Sequence, residues 1–291
     1  MGNLENKTVN TSLQKLIDEY LLSLKLSNKA EQTLQKYEWV LNRFFREVTV
    51  TLDELTSLHV HQWLQEFSKG KKARTIDLFL CVLSSFFQFC LLEGYMDRVV
   101  MKKRWKPKIP HSLPKYLSEE EFARVKKASE SFSTRDRALL LFLFSSGCRS
   151  AEVSSLKIKD VVLSKRTADV VGKGKKIRQV HFSVECLLLL EEYLDTREIQ
   201  DEDYLFLNRR NQQLKPDGIY EVVRKIGKRA ELSFTLHPHC CRHTFATNML
   251  ARGASIEFIA DELGHADLNT TRVYARIPTE EMRTQYQNKM G

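Results

Sequence analysis

Apolar residues recur at helical spacing through the first hundred positions. Leu13, Leu16, Ile17, Tyr20, Leu21 and Leu24 fall three or four apart, which predicts an amphipathic helix after about ten polar residues. Ser27 and Asn28 break the pattern. Leu34, Tyr37, Leu41, Phe44 and Phe45 predict a second helix, "SLHVHQWLQEF" a third and "ARTIDLFLCVLSSFFQFCLLEG" a fourth. The fourth is apolar over most of its circumference, the mark of a helix buried at the centre of a bundle. No uninterrupted apolar run approaches the roughly 18 residues of a membrane span, so no membrane partner is expected.

The stretch "KPKIPHSLPKY", residues 106–116, breaks the periodicity. Pro107, Pro110 and Pro114 keep it extended, and it reads as a linker. Ser118 with Glu121 three residues later has the pattern of a capping box, which opens a new helix. "RDRALLLFLFSSG" predicts a buried helix that stops near Gly147. The period then changes. "DVVL", "TADVV" and "IRQVHF" are short β-type runs separated by turns, which predicts a small antiparallel sheet. Helical spacing returns from Val184. The expected architecture is mainly α with a small antiparallel β-sheet: a helical domain over 1–105, a basic linker over 106–116 and an α+β domain over 117–291.

Charge adds a partner class. The net charge is +9, with a pI near 9.2, which favours a polyanion but is a weak signal alone. Residues 1–105 hold 15 Lys/Arg against 12 Asp/Glu, and residues 117–291 hold 28 against 25. The linker holds Lys106, Lys108 and Lys115 and no acid. Lys69, Lys71, Lys72 and Arg74 surround Gly70 just before the fourth helix. Cations beside the free N–H groups of a helix start suit a phosphate, although a solvated basic turn has the same sequence. The six cysteines form no CxxC pair, so neither a zinc ribbon nor a disulfide framework is signalled. The polar N-terminus has neither the apolar region of a signal peptide nor a myristoylation pattern. A cytoplasmic protein with free thiols is the expectation.

The densest chemistry lies in "HPHCCRHTFAT", His237–Thr247. His239 and His243, at i and i+4, would share a helix face, as the ligands of a zinc protease do; but that motif wants Glu at position 240, where Cys240 stands. Adjacent cysteines on a helix point about 100° apart, so one ion cannot easily take both. Alternatively His239 and Arg242 converge on an anion near a helix N-terminus, or His caps the helix and Arg lies on the surface. Three other stretches bear on the choice. Arg149 follows Gly147 in "SSGCRSAEV". Lys173 sits between two glycines at a predicted hairpin tip, where a turn can approach a ligand closely. "ELGHADLNTTRVYARI" places His265 after Gly264 and Tyr274 nine residues on. Each has a plain structural reading: surface ion pair, solvated turn, helix cap, core aromatic.

Together these residues suit phosphodiester transfer without a metal or cofactor. Arg149 and Arg242 would grip the non-bridging oxygens bidentately. Tyr274, a phenol mostly protonated at neutral pH, would be the nucleophile and needs a base and a positive field. His239 and His265 would supply the base and hydrogen bonds to the phosphoryl oxygens. Lys173 would give the departing oxygen its proton.

On "GCRSAEVSSL", "GKGKKIRQV", "HPHCCRHTFAT" and "LGHADLNTTRVYARI", the chain resembles the tyrosine recombinases of the phage-integrase and Xer type, over roughly residues 11–286. The resemblance implies an N-terminal core-binding domain, a catalytic domain, and a C-terminal helix that docks on a neighbouring protomer. It implies that Arg149, Lys173, His239, Arg242 and His265 surround a scissile phosphate attacked by Tyr274. A 3′-phosphotyrosyl link and a Holliday junction would follow, with no ATP. Lys69, Lys71, Lys72, Arg74, Lys106, Lys108 and Lys115 become DNA contacts. The partners implied are double-stranded DNA with specific inverted half-sites and a homotetramer on synapsed DNA; the place is the cytoplasm, at the nucleoid.

This sequence departs from the family in Cys240–Cys241, where a leucine usually precedes the arginine, and in Cys148 before Arg149. Thiols beside the pocket raise the expectation that oxidation inhibits. Met282, Tyr286 and Met290, four apart, give the tail a narrow apolar stripe, suited to docking or to packing on its own domain. Four readings stay open on residues alone: a site-specific recombinase of Xer or transposon-resolution type, a type IB topoisomerase-like relaxing enzyme, a DNA-binding accessory protein without turnover and, most distantly, a zinc-dependent hydrolase.

Overall fold

Amphipathic spacing becomes four helices at the start of the chain: α1 (Gly2–Leu26), α2 (Glu31–Glu47), α3 (Ser57–Ser68) and α4 (Ala73–Leu92). The computed structural model describes residues 2–109, 114–172, 174, 176–265 and 267–274. Two compact units divide it, Met1–His111 and Ser112–Gly291, each with a core of its own.

In the first unit, α1 begins at Gly2, so residues 2–10, expected to precede it as a polar segment, are helical. Polar composition does not prevent this: no proline or interior glycine interrupts residues 3–26, and a formed helix propagates at little cost per residue. Thr56 caps α3, its Oγ1 accepting from the backbone N–H of His59. Leu16, Ile17 and Tyr20 from α1 meet Val40, Leu41 and Phe44 from α2, Trp63 and Phe67 from α3, and the α4 row Phe79, Leu83, Phe86 and Phe87. Each such side chain taken out of water contributes on the order of 1.5–3 kcal/mol. By length and composition α4 is long and apolar enough to cross a membrane, against the expectation that no run approaches that size. Its inner face is consumed by this core, and its outer residues are half-buried or exposed, Arg74, Gln88 and Leu92 among the exposed ones.

The second unit holds α5 (Glu119–Ser129), α6 (Thr134–Ser146), α7 (Ser150–Ser155), β1 (Val161–Val162), β2 (Thr167–Val171), β3 (Ile177–His181), α8 (Val184–Leu194), α9 (Pro216–Arg229), α10 (Pro238–Ala251), α11 (Ile256–Leu263) and the short α12 (Asn269–Arg272). The capping box read at Ser118 and Glu121 is formed. The strands make one antiparallel sheet in the order β1-β2-β3, with Ala168 opposite Val180 and Val171 opposite Ile177. α6 is buried from Ala138 to Phe144 and packs on α8 and α10. A smaller apolar cluster, built from Phe245, Ala246, Ile259 and Leu263, lies along α10 and α11 and includes Tyr274.

Candidate active site

The site is assembled at the ends of helices. α6 stops at Gly147, which is left-handed at φ +62°. A side chain at 147 would put its Cβ 2.5 Å from Phe245, so only glycine fits. The stop exposes the Gly147 carbonyl, and Arg242 Nη1 donates to it at 2.7 Å. Arg242 Nη2 donates to the Leu263 carbonyl at 2.5 Å and to His265 Nε2 at 2.9 Å. The guanidinium is thus fixed from three sides on buried α10. Burial and the neighbouring Arg149 charge pull its pKa down to about 10, so it remains cationic at neutral pH.

Arg149, two residues past Gly147, is the N-cap of α7. Its Nη1 donates to Glu152 Oε1 and its backbone N–H to Glu152 Oε2, both at 2.8 Å. Glu152 is only 3% exposed. Arg178, from β3, closes the same carboxylate with two bonds of 2.9 Å, and its Nε donates to the Glu262 carbonyl at 2.9 Å. Burial alone would raise the Glu152 pKa, but the hydrogen bonds from Arg178 and Arg149 outweigh it and hold the carboxyl at about 2. Arg178 also fills the space over Gly264, the left-handed cap of α11 at φ +63°. Arg149 and Arg178 share the one carboxylate of Glu152, while Arg242 is held by carbonyls and His265. Three guanidinium groups against that single carboxylate leave an excess of positive charge, which suits an anion.

His265 follows Gly264. Its Nε2 accepts from Arg242, so Nδ1 carries the hydrogen and donates to Thr271 Oγ1 at 2.7 Å. Burial and the surrounding arginines pull its pKa to about 4, which keeps it neutral. With both nitrogens engaged, His265 has no lone pair for a phenol. This geometry does not fit the base role expected of it; the ring is placed to orient Arg242. His239 stands at the first turn of α10 with one side open to solvent; the partial desolvation of its ring by the site, together with the Arg242 and Arg149 charges, lowers its pKa. Tyr274 is 3% exposed. Burial raises its pKa while Arg242 and Arg149 lower it, for a net rise. Its Oη lies 2.8 Å from Nδ1 of His243, not from His239 or His265.

The structure therefore brings together Arg149, Arg242, His265 and Tyr274, with His239 on the same helix as Arg242. Lys173 lies outside the described residues; its hairpin is closed by the Gly172 N–H donating to the Lys176 carbonyl at 2.8 Å. Lys69, Lys71, Lys72 and Arg74 are all exposed around the α3–α4 turn, Lys69 paired with Glu66. Lys106 and Lys108 are exposed in the first unit, and Lys115, in the second, lies over the Phe234 ring. The stripe Met282, Tyr286 and Met290 lies outside the described residues.

Three members of the cluster were not singled out for this chemistry: Glu152, Arg178 and His243. Glu152 is three residues beyond Arg149, the position from which a carboxylate reaches back to a helix N-cap. Arg178 shares a strand face with buried Val180, an inward cation that asks for a partner. From the sequence His243 suggests only a metal ligand, at i+4 from His239. Among the described residues, no three His, Cys, Asp or Glu gather as a metal site. Cys148, Cys240 and Cys241 are free and fully buried, and burial pushes the Cys148 thiol up to about 12. Protonated and shielded, these thiols are poor targets for oxidants, which argues against the expected oxidative inhibition.

Residues 115–281 match the phage integrase family, and residues 17–94 match the phage integrase N-terminal SAM-like domain. The chain is 34% identical over 273 residues to tyrosine recombinase XerA of Pyrococcus horikoshii, spanning 92% of this chain and 91% of that protein. It is 32% identical over 285 residues to tyrosine recombinase XerC of Thermodesulfovibrio yellowstonii, spanning 94% and 95%. Among solved structures it aligns with XerA recombinase at TM-score 0.56 and 29% identity, covering 96% and 99% of the two chains. It aligns with the XerH site-specific recombinase bound to a palindromic difH substrate at TM-score 0.77 and 23% identity, covering 91% and 82%. In its sequence over both units, and in its fold, the chain belongs to the phage integrase family and is a tyrosine recombinase.

Proposed function

We propose that this recombinase cuts and rejoins duplex DNA at specific sites through a 3′-phosphotyrosyl intermediate, with Tyr274 as nucleophile. The observation that carries the reading is the meeting of Tyr274 with Arg149, Arg242 and His265, residues from separate stretches of the chain. Arg149 and Arg242 grip the non-bridging oxygens of the scissile phosphate and stabilise the charge that builds there. His265 holds Arg242 in orientation, and His239, at the exposed start of the same helix, hydrogen-bonds the phosphoryl group. As the Tyr274 Oη–P bond forms, the bond from phosphorus to the 5′ oxygen breaks, and Lys173 on its hairpin protonates the leaving oxygen. The phosphotyrosyl link conserves the energy of the broken bond. A 5′-hydroxyl from a second strand then reverses the step and gives a Holliday junction without ATP.

Residues 1–105 serve as the core-binding domain, 106–116 as the basic linker and 117–291 as the catalytic domain, with the tail docking on a neighbour. Lys69, Lys71, Lys72, Arg74, Lys106, Lys108 and Lys115 contact the DNA backbone, where cations position the protein without reading sequence. The working unit is a tetramer on synapsed DNA with inverted half-sites. The recombinase names of relatives above 30% identity support strand exchange over plasmid relaxation.

The test is a nicked suicide duplex carrying the binding site selected from random DNA. The wild-type protein forms a covalent adduct, and Tyr274→Phe forms none. An adduct that persists in Tyr274→Phe contradicts the assignment.

A further inference from the structure

We propose that His243 is the proton acceptor for Tyr274, a role that rests on the recombinase reading above and that neither His239 nor His265 fills in this geometry. The contact is direct: Nδ1 of His243 stands 2.8 Å from the phenolic oxygen. Both groups sit away from solvent, with Tyr274 buried in the α10–α11 cluster and His243 half-buried on α10. The phenol is thereby shielded from bulk water. His265 is excluded because its lone pair accepts from Arg242 and its Nδ1–H is given to Thr271. His239 is exposed, its ring centroid is 6.5 Å from that of His243, and the hydrogen bond of the Tyr274 hydroxyl is to His243.

The placement has a chemical logic. His243 is the residue after Arg242, so one rigid helix carries both the cation that binds the phosphate and the base that serves the nucleophile. A base within hydrogen-bond reach of the group it deprotonates meets the geometric requirement of general catalysis. Free imidazole nitrogen is also the commonest such base at neutral pH. A DNA phosphate brought to Arg149 and Arg242 adds negative charge beside His243 and favours its protonated form.

The step balances. The Tyr274 O–H bond breaks and its electron pair forms the Oη–P bond. The proton passes to His243 Nδ1, whose lone pair becomes an N–H bond. The bond from phosphorus to the 5′ oxygen breaks, and that oxygen is protonated by the general acid. In rejoining, the His243 imidazolium returns its proton to the departing phenolate.

The experiment measures single-turnover adduct formation by the full chain on the same suicide duplex. His243→Asn keeps a hydrogen-bond acceptor near the Nδ1 position but cannot take the proton. The expected result is a loss of about 100-fold in adduct rate, the scale of general-base catalysis. Replacing Tyr274 by a fluorinated tyrosine of lower phenol pKa should then recover most of the loss in the Asn variant, while changing the His243 protein little. A wild-type rate in His243→Asn overturns the proposal. So does a loss that the fluorinated tyrosine does not relieve, because that marks a purely structural contact. No adduct from the wild-type protein itself overturns the recombinase reading, and this inference with it.

Discussion

Arg178 grips Glu152 through both carboxylate oxygens, at 2.9 Å each, and so ties strand β3 to the residue that orients Arg149. One buried carboxylate links the hairpin that bears Lys173 to an arginine of the anion site. Breaking a buried pair by removing one charge costs about 3 kcal/mol or more. Glu152→Gln is expected to lower the thermal midpoint by roughly 6–12 °C on that figure, and to slow adduct formation by loosening Arg149. An unchanged midpoint in scanning calorimetry would contradict the role given to Glu152.

Gly147→Ala tests the coupling between helix end and guanidinium. The left-handed backbone costs a non-glycine residue about 1–2 kcal/mol, and the new methyl meets Phe245 at 2.5 Å. The Gly147 carbonyl must shift, and Arg242 loses its 2.7 Å anchor. Adduct formation should fall further than DNA binding, since binding also draws on cations elsewhere. Equal losses in adduct yield and in a gel-shift titration would refute this.

Acid should destabilise the second unit in two stages. Burial, reinforced by neighbouring positive groups, holds His243 and His265 at about 4, below their ordinary 6.5. Between those values the unfolded chain binds more protons than the folded one, so stability falls as pH drops through the window. Below it, Glu152, held at about 2 against an ordinary 4.5, must also be protonated, and its contribution is lost between those values. Thermal midpoints measured from pH 7.5 down to 4 should decline most steeply below 6.5. A flat profile down to pH 4 would show that these histidines are not held neutral.

The exposed turn between α3 and α4 makes an ionic-strength prediction. If Lys71 and Lys72 lie on DNA phosphates, replacing both with alanine removes two contacts. The slope of log affinity against log salt should become shallower by about 2, with sequence preference unchanged. An unaltered slope would leave the turn as a solvated surface.

Helix by helix, the elements were legible where a periodic apolar face meets a clear stop. α6 was readable from its leucines and phenylalanines and from Gly147, the sheet from three β-branched runs, and α5 from Ser118 and Glu121. The start of α1 was not legible, because residues 2–10 carry no apolar face to mark them and helix propagation needs none. Nor was the partnership of Glu152 with Arg178, 26 residues apart in sequence and hydrogen-bonded in space.

The amino-acid order alone determined the residue types that handle a phosphate, their spacing around Gly147 and Gly264, and the family they resemble, since local backbone stops and helical period are written in neighbouring residues. Only the tertiary structure decided which histidine touches the tyrosine. That choice depends on where α10 and the segment after α11 bring Nδ1 of His243 and the phenol together across 31 positions. It also decided that the thiols beside the arginines are sealed from solvent, because burial is a property of packing and not of sequence position.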